Sequence, residues 1–403
     1  MKFNLKVSTS WLQFFNYTLI FLLLLFTTAD GSINIFHFSI SVGVTFPLEI
    51  ILLLLCLLLT LLFNRSDSNI DIFIFFFCIL RVILFTVGYF SRPNSIDNVT
   101  RYMSVFLWPI LYLLTSYIDK TMSAIKRIVR LAEFATIIIS VQTIISSLIA
   151  LTSGMNINYV KNFIRIPLAP SNTITCYLIL MIPFIYYLGT GIVRNFSILF
   201  CIVSVLLTRS LSGFITITLF FLLLLFKKDK RNTIRVILAI ITLVIAIFII
   251  NKVNPVFFER YINRFTMLLS SNASTRSDSL NGRGQIYQDA ANLIKLNFPF
   301  GLGVSYSESM NDQLAHNWIL ETLLQEGILN LILVCAIFAI SLVKLLSAKN
   351  TLCKAGGISL ALVLIQALIE PSLTAFPFDM FLWIFLGSSL CFSKVCDLET
   401  LPE

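Results

Sequence analysis

A chain of 403 residues with 58% hydrophobic and only 12% charged residues is excluded from the ordinary soluble class, which needs roughly a quarter of its residues charged. Its net charge of +9 comes from basic residues scattered between apolar blocks. They form no stripe with interleaved aromatics, so nucleic acid is excluded as a partner and retention of Lys and Arg on the cytoplasmic side of a membrane explains the excess.

The apolar blocks run at 12–28, 40–63, 72–90, 101–118, 131–152, 173–189, 195–208, 212–226, 233–250, 317–343, 356–370 and 376–393. Most approach the length of about 20 residues that crosses hydrocarbon as a helix. The first reads as a retained helix and not a removed signal, because no convincing cleavage site follows it. The seventh and eighth are short and read either as two helices or as one re-entrant hairpin. The expected fold is therefore an all-α polytopic membrane protein of about 12 transmembrane helices. Nine fall in residues 1–250 and three in 316–403, with a long extracytoplasmic loop over 251–315. The 37 Phe residues lie mostly inside the blocks, as lipid-facing bulk. Of the eight Cys, none lies in the loop and no pair has metal or redox spacing.

Orientation follows from the basic residues. With both termini cytoplasmic, 17 of the 29 Lys and Arg fall inside and only five in the short outer loops. Long loops are exempt from the rule, so the termini are expected inside.

The long loop has its own organisation. Residues 251–284 carry a net +3 and residues 285–315 a net −2. Gln285–Asn297 puts Ile286, Ala290, Leu293 and Ile294 on one helical face, which suits a helix on the membrane surface. Phe298 to Gly303, with Pro299, Gly301 and Gly303, then supplies a turn. The charge run reads as a solvated surface or as an anion site on the first half.

The chain has two histidines. His37, without polar company, reads as structural or interfacial. His316 stands where the loop meets the tenth block. At a helix start the dipole disfavours imidazolium, and a neutral ring can act as a general base; a capping or headgroup-contacting residue is the equal alternative. Among the outward arginines, Arg165 and Arg283 are placed to fork onto phosphate oxygens, and Arg209 sits in a loop of only a few residues. Interfacial anchoring fits each of them equally well. Arg81, in the middle of an apolar block, needs an acidic or carbonyl partner, since its insertion alone costs about 2.5–3.5 kcal/mol. No nucleotide-binding motif is present, and no metal set suggests itself.

Gly282-Arg283-Gly-Gln-Ile-Tyr287, the turn Pro299-Phe-Gly301-Leu-Gly303, and His316-Asn317 followed after nine residues by Gly327 resemble the O-antigen ligase/polymerase superfamily. The family pattern is an Arg with an aromatic four residues on, a P-x-G-x-G turn, and His-Asn, nine residues, Gly. Arg165 to Asn172, and Leu206 to Gly213, resemble two further family segments. In the second of these the family usually has Arg directly after the first Ser. Leu211 stands there, and Arg209 is the candidate to replace it. Asn330 also departs from the ligase pattern. The resemblance spans roughly 160–345.

The resemblance implies a metal-independent glycosyltransferase without cofactor, in the bacterial inner membrane, acting at its outer face on undecaprenyl-diphosphate-linked glycan. By that analogy His316 activates the acceptor hydroxyl. Arg283, Arg165 and Arg209 hold the diphosphate, with Asn317 and Tyr287 as further substrate-binding positions. Glu321 to Ile328 resembles polymerases more than ligases. A repeat-unit polymerase is thus expected, with an O-antigen ligase acting on lipid A–core as the alternative. A flippase is the rival from another class, disfavoured by the long loop and the lack of internal repeats. A chain-length regulator and the flippase of the same pathway are the expected protein partners.

Overall fold

The computed structural model describes residues 32–35, 38–41, 55, 58, 71–90, 98–116, 122–152, 171–225, 230–253, 259, 266, 283–303, 315–370, 373 and 376–393. Eleven helices are seen among them: α1 (Ile72–Phe90), α2 (Asn98–Ser116), α3 (Met122–Thr152), α4 (Ser171–Leu188), α5 (Gly191–Leu207), α6 (Leu211–Leu225), α7 (Lys230–Val253), α8 (Arg283–Leu296), α9 (Trp318–Ser347), α10 (Thr351–Ala367) and α11 (Phe376–Ser393). A short antiparallel ribbon pairs β1 (Ser32–Ile35) with β2 (Phe38–Ser41).

Ten of these helices coincide with ten of the predicted blocks, and the eleventh, α8, is the helix expected in the long loop. The first block, nearly all of the second, and Arg165 lie outside the described residues. Blocks seven and eight are two helices, α5 and α6, joined through Thr208, Arg209 and Ser210. Lys126–Ala150 and Trp318–Ser347 are long and apolar enough to cross a membrane, and shorter apolar helices accompany them. Along α7, Ile234, Ile237, Ile241, Val244, Ile245 and Phe248 are exposed. Such an apolar surface belongs to a membrane protein.

The helices pack around α4, whose side chains from Thr173 to Tyr186 are all buried. α4 packs most extensively on α10, α2 on α11, α3 on α5 and α1 on α9. At one end of the bundle, Lys344 near the end of α9 pairs with Asp71 at the start of α1. At the same end the backbone N–H of Asp71 donates to Tyr112 on α2. The opposite end gathers the starts of α4, α6, α8 and α9 with the close of α10.

α9 is the least regular element. Its backbone leaves helical geometry at Gly327, with φ 83°. The 299–303 turn fills that break: Ile328 N–H donates to Pro299 O (2.9 Å), Leu302 N–H to Leu324 O (2.5 Å) and Gly303 N–H to Gln325 O (3.0 Å). A Cβ on Gly327 would stand 2.0 Å from Pro299 O, and one on Gly301 2.6 Å from Gly327 N. Only glycine tolerates this approach at a positive φ. The spacing from His316-Asn317 to Gly327 thus measures the helical length between the start of α9 and the notch that receives the turn.

The apolar face of α8 is where expected, and protein packs against it. Ile286 and Ala290 are buried with Ala315 and Leu324, and Leu293 and Ile294 pack against them. Burial of Ile286 and Ala290 against the first turns of α9 ties the loop helix to the bundle.

Candidate active site

Asn317, not His316, caps α9. Its Oδ1 accepts from Ile319 N–H (2.9 Å) and Leu320 N–H (3.2 Å), satisfying donors that the first turn leaves open. Its Nδ2 donates to Leu368 O (2.9 Å), which locks the start of α9 to the close of α10. His316 therefore stands just outside the helix. Its φ is 50°, and the one other non-glycine residue with positive φ among the described residues is Arg209, at 56°. Side chains in this region cost energy to hold and cluster at functional sites. Both were singled out in the sequence.

Arg283 opens α8 and reaches the same place from the loop. One terminal nitrogen donates to Ile369 O (3.3 Å) and the other lies 3.9 Å from Glu370 Oε1. His316 Nδ1 lies 3.8 Å from Glu370 Oε2. Asn172, in the first turn of α4, donates its amide to the same Oε2 at 2.6 Å. Glu370 is thus the meeting point of four elements. The sequence reading missed it, because a lone Glu before a Pro at an apolar block's end has no motif around it.

The turn that carries Arg209 meets α4 at Thr175, one turn along from Asn172. Thr175 donates to the Thr208 hydroxyl (2.9 Å), which itself donates to Val205 O (2.7 Å). Ser210 caps α6 by accepting from Gly213 N–H (3.3 Å). A Cβ on Gly213 would stand 2.1 Å from the Thr175 methyl, so glycine lets α6 close on α4. The motif residues around Arg209 are thereby explained as the parts of a tight turn that holds this buried arginine. Tyr287, one turn after Arg283, sits half-buried against the cluster beneath α8. Among the described residues no three His, Cys, Asp or Glu side chains come together as metal ligands.

Arg81 has the partner its position demanded. It forks onto Glu326, Nε to Oε2 at 3.0 Å and a terminal nitrogen to Oε1 at 2.7 Å, and stacks 3.7 Å from the centroid of Trp108. Trp108 in turn donates to Asp379 (2.9 Å). Glu326 directly precedes Gly327, so this pair braces the notch in α9.

Residues 196–335 match the model of the O-antigen ligase family. The resemblance to the O-antigen ligase/polymerase superfamily is borne out. The matched segment runs from α5 into α9 and contains Arg209, Arg283, Tyr287, His316, Asn317 and Gly327. The match indicates an O-antigen ligase/polymerase-type function, carried in this family by glycosyltransferase-like enzymes. Arg81, Asn172 and Glu370 lie outside it. No curated protein matches the chain.

Proposed function

We propose that this protein is a repeat-unit polymerase that joins undecaprenyl-diphosphate-linked oligosaccharides at the outer face of the bacterial inner membrane, without a metal. The observation that carries the reading is the convergence of Arg283 and His316, distant in sequence, at one end of the bundle. This is the end to which the charge distribution assigns the extracytoplasmic side, in a multi-pass arrangement with both termini inside.

In the reaction, His316 takes the proton of the acceptor sugar hydroxyl. The hydroxyl oxygen attacks the anomeric carbon of the donor, and the bond from that carbon to the lipid diphosphate breaks. The diphosphate leaves with the electron pair, and guanidinium groups from Arg283, Arg209 and Arg165 stabilise its charge. Planar forks suit phosphate oxygens, and stabilising charge where it develops is the usual large term in such catalysis.

Purified protein supplied with lipid-linked repeat units and a chelator should make polymer. Loss of activity with the chelator overturns the metal-free mechanism. The second reading is a ligase, the activity for which the matched family is named. A deletion strain separates the two: single repeats on the lipid core mean a polymerase, whereas lipid-linked polymer without surface glycan means a ligase. For the topology, Ser274→Cys in a cysteine-free background should react with an impermeant thiol reagent in spheroplasts; absence of labelling refutes an outward loop.

A further inference from the structure

The segment Leu368–Glu370 is gripped from three sides. Asn317 holds Leu368 O, Arg283 holds Ile369 O, and Asn172 holds the Glu370 carboxylate at 2.6 Å. The carboxylate is therefore anchored in place, and its Oε2 faces His316 Nδ1 at 3.8 Å. That nitrogen is shielded from solvent and has no hydrogen-bond partner, while about a third of the side chain stays exposed (36%). The shielded edge of the ring is thus turned toward Glu370, and the exposure lies on the rest of it.

A histidine that accepts protons needs one nitrogen fixed as N–H so that the other offers its lone pair, and a carboxylate on the first nitrogen is the usual device. We infer that Glu370 is the positioning residue of His316: its carboxylate accepts the Nδ1–H and leaves Nε2 to take the acceptor hydroxyl's proton. Closing from 3.8 Å to hydrogen-bond distance takes a small rotation of the His316 ring toward the anchored carboxylate. The same carboxylate lies 3.9 Å from Arg283, so it holds that guanidinium beside the histidine as well. Asn172 supplies the rigidity, since its bond to Oε2 ties the pair to α4, the most buried helix of the bundle.

The inference rests on the glycosyltransferase reading, and two measurements keep the two apart. In the first, Glu370→Gln, which retains the shape and the bond from Asn172, should lower kcat on the order of 10²-fold with little change in KM for the lipid-linked donor. Glu370→Asp should recover part of the rate. In the second, ¹⁵N-histidine spectra of the full-length His37→Gln protein in detergent report His316 alone, without substrate. The ring should be protonated on Nδ1, and Glu370→Leu, which leaves no acceptor facing that nitrogen, should shift it toward a mixture of tautomers.

Wild-type kcat in Glu370→Gln, or a tautomer unmoved in Glu370→Leu, overturns the inference. Should either variant fail to fold, a ring protonated on Nε2 in the His37→Gln protein overturns it equally. Absence of transfer by the wild-type protein strikes the glycosyltransferase reading alone, because the tautomer is read without it.

Discussion

Two arginine–glutamate pairs occupy the two ends of the same structural problem. Arg81 and Glu326 meet in a bidentate contact at 2.7 Å, with side chains 1% and 0% exposed, and Trp108 closes one face. Arg283 and Glu370 stand 3.9 Å apart and are 18% and 10% exposed. The first is closed inside the protein, both carboxylate oxygens meeting the guanidinium while its Nη1 stays buried without a partner. The second is too long for a hydrogen bond, partly open, and shared with a histidine. A buried ion pair is costly to break from one side, because the remaining charge has no water to turn to. A loose pair at an opening exchanges partners cheaply, and an arriving diphosphate offers Arg283 better acceptors than Glu370 does. The difference teaches that residue identity does not separate scaffold from site here; closure of the contact does.

The largest effect should come from the open end. His316→Ala removes the proton acceptor, and general-base help is worth about 10²–10⁴ in rate, so polymer formation in nanodiscs should nearly vanish while membrane levels stay normal. Substantial polymer from this variant would reduce His316 to a positioning role. Glu326→Gln should do the reverse. Leaving the buried Arg81 without its counter-charge costs about 3–5 kcal/mol, to be read as lost membrane protein and a lower melting midpoint in detergent. Arg81→Leu combined with Glu326→Leu should recover much of that loss; no recovery would mean that the pair specifies the notch at Gly327 and does not merely neutralise itself.

Arg283→Lys keeps the charge and loses the fork. It should cost about 1.5–3 kcal/mol of transition-state stabilisation, roughly ten- to a hundredfold in kcat/KM, with the melting midpoint unchanged. Full activity in both Arg283→Lys and Arg283→Ala would break the contrast between the two pairs. Asn317→Ala removes a helix cap and a clamp on Leu368, so about 1 kcal/mol of stability should go, measured by the same melting curve. His37→Ala should leave both activity and stability at wild-type values, which makes it the control for every histidine experiment.

Hydrophobic length alone located ten helices, because crossing lipid demands long apolar runs that are visible without any partner. The apolar face of α8 was legible by its period, and Arg81's need for a counter-charge was legible from the cost of a bare charge. Arg283, His316 and the glycine turn were legible as a resemblance. What covers the α8 face was not, since an amphipathic period is the same whether lipid or protein lies against it. Nor was the identity of Arg81's partner, which lies far along the chain on α9. The interlock of Gly301 with Gly327 and the meeting of Arg283, His316 and Asn172 at Glu370 were settled only when α4, α8, α9 and α10 packed. Local sequence carries propensity and period; a carboxylate acquires its neighbours only through tertiary contacts, and so Glu370 left no mark that could be read in advance.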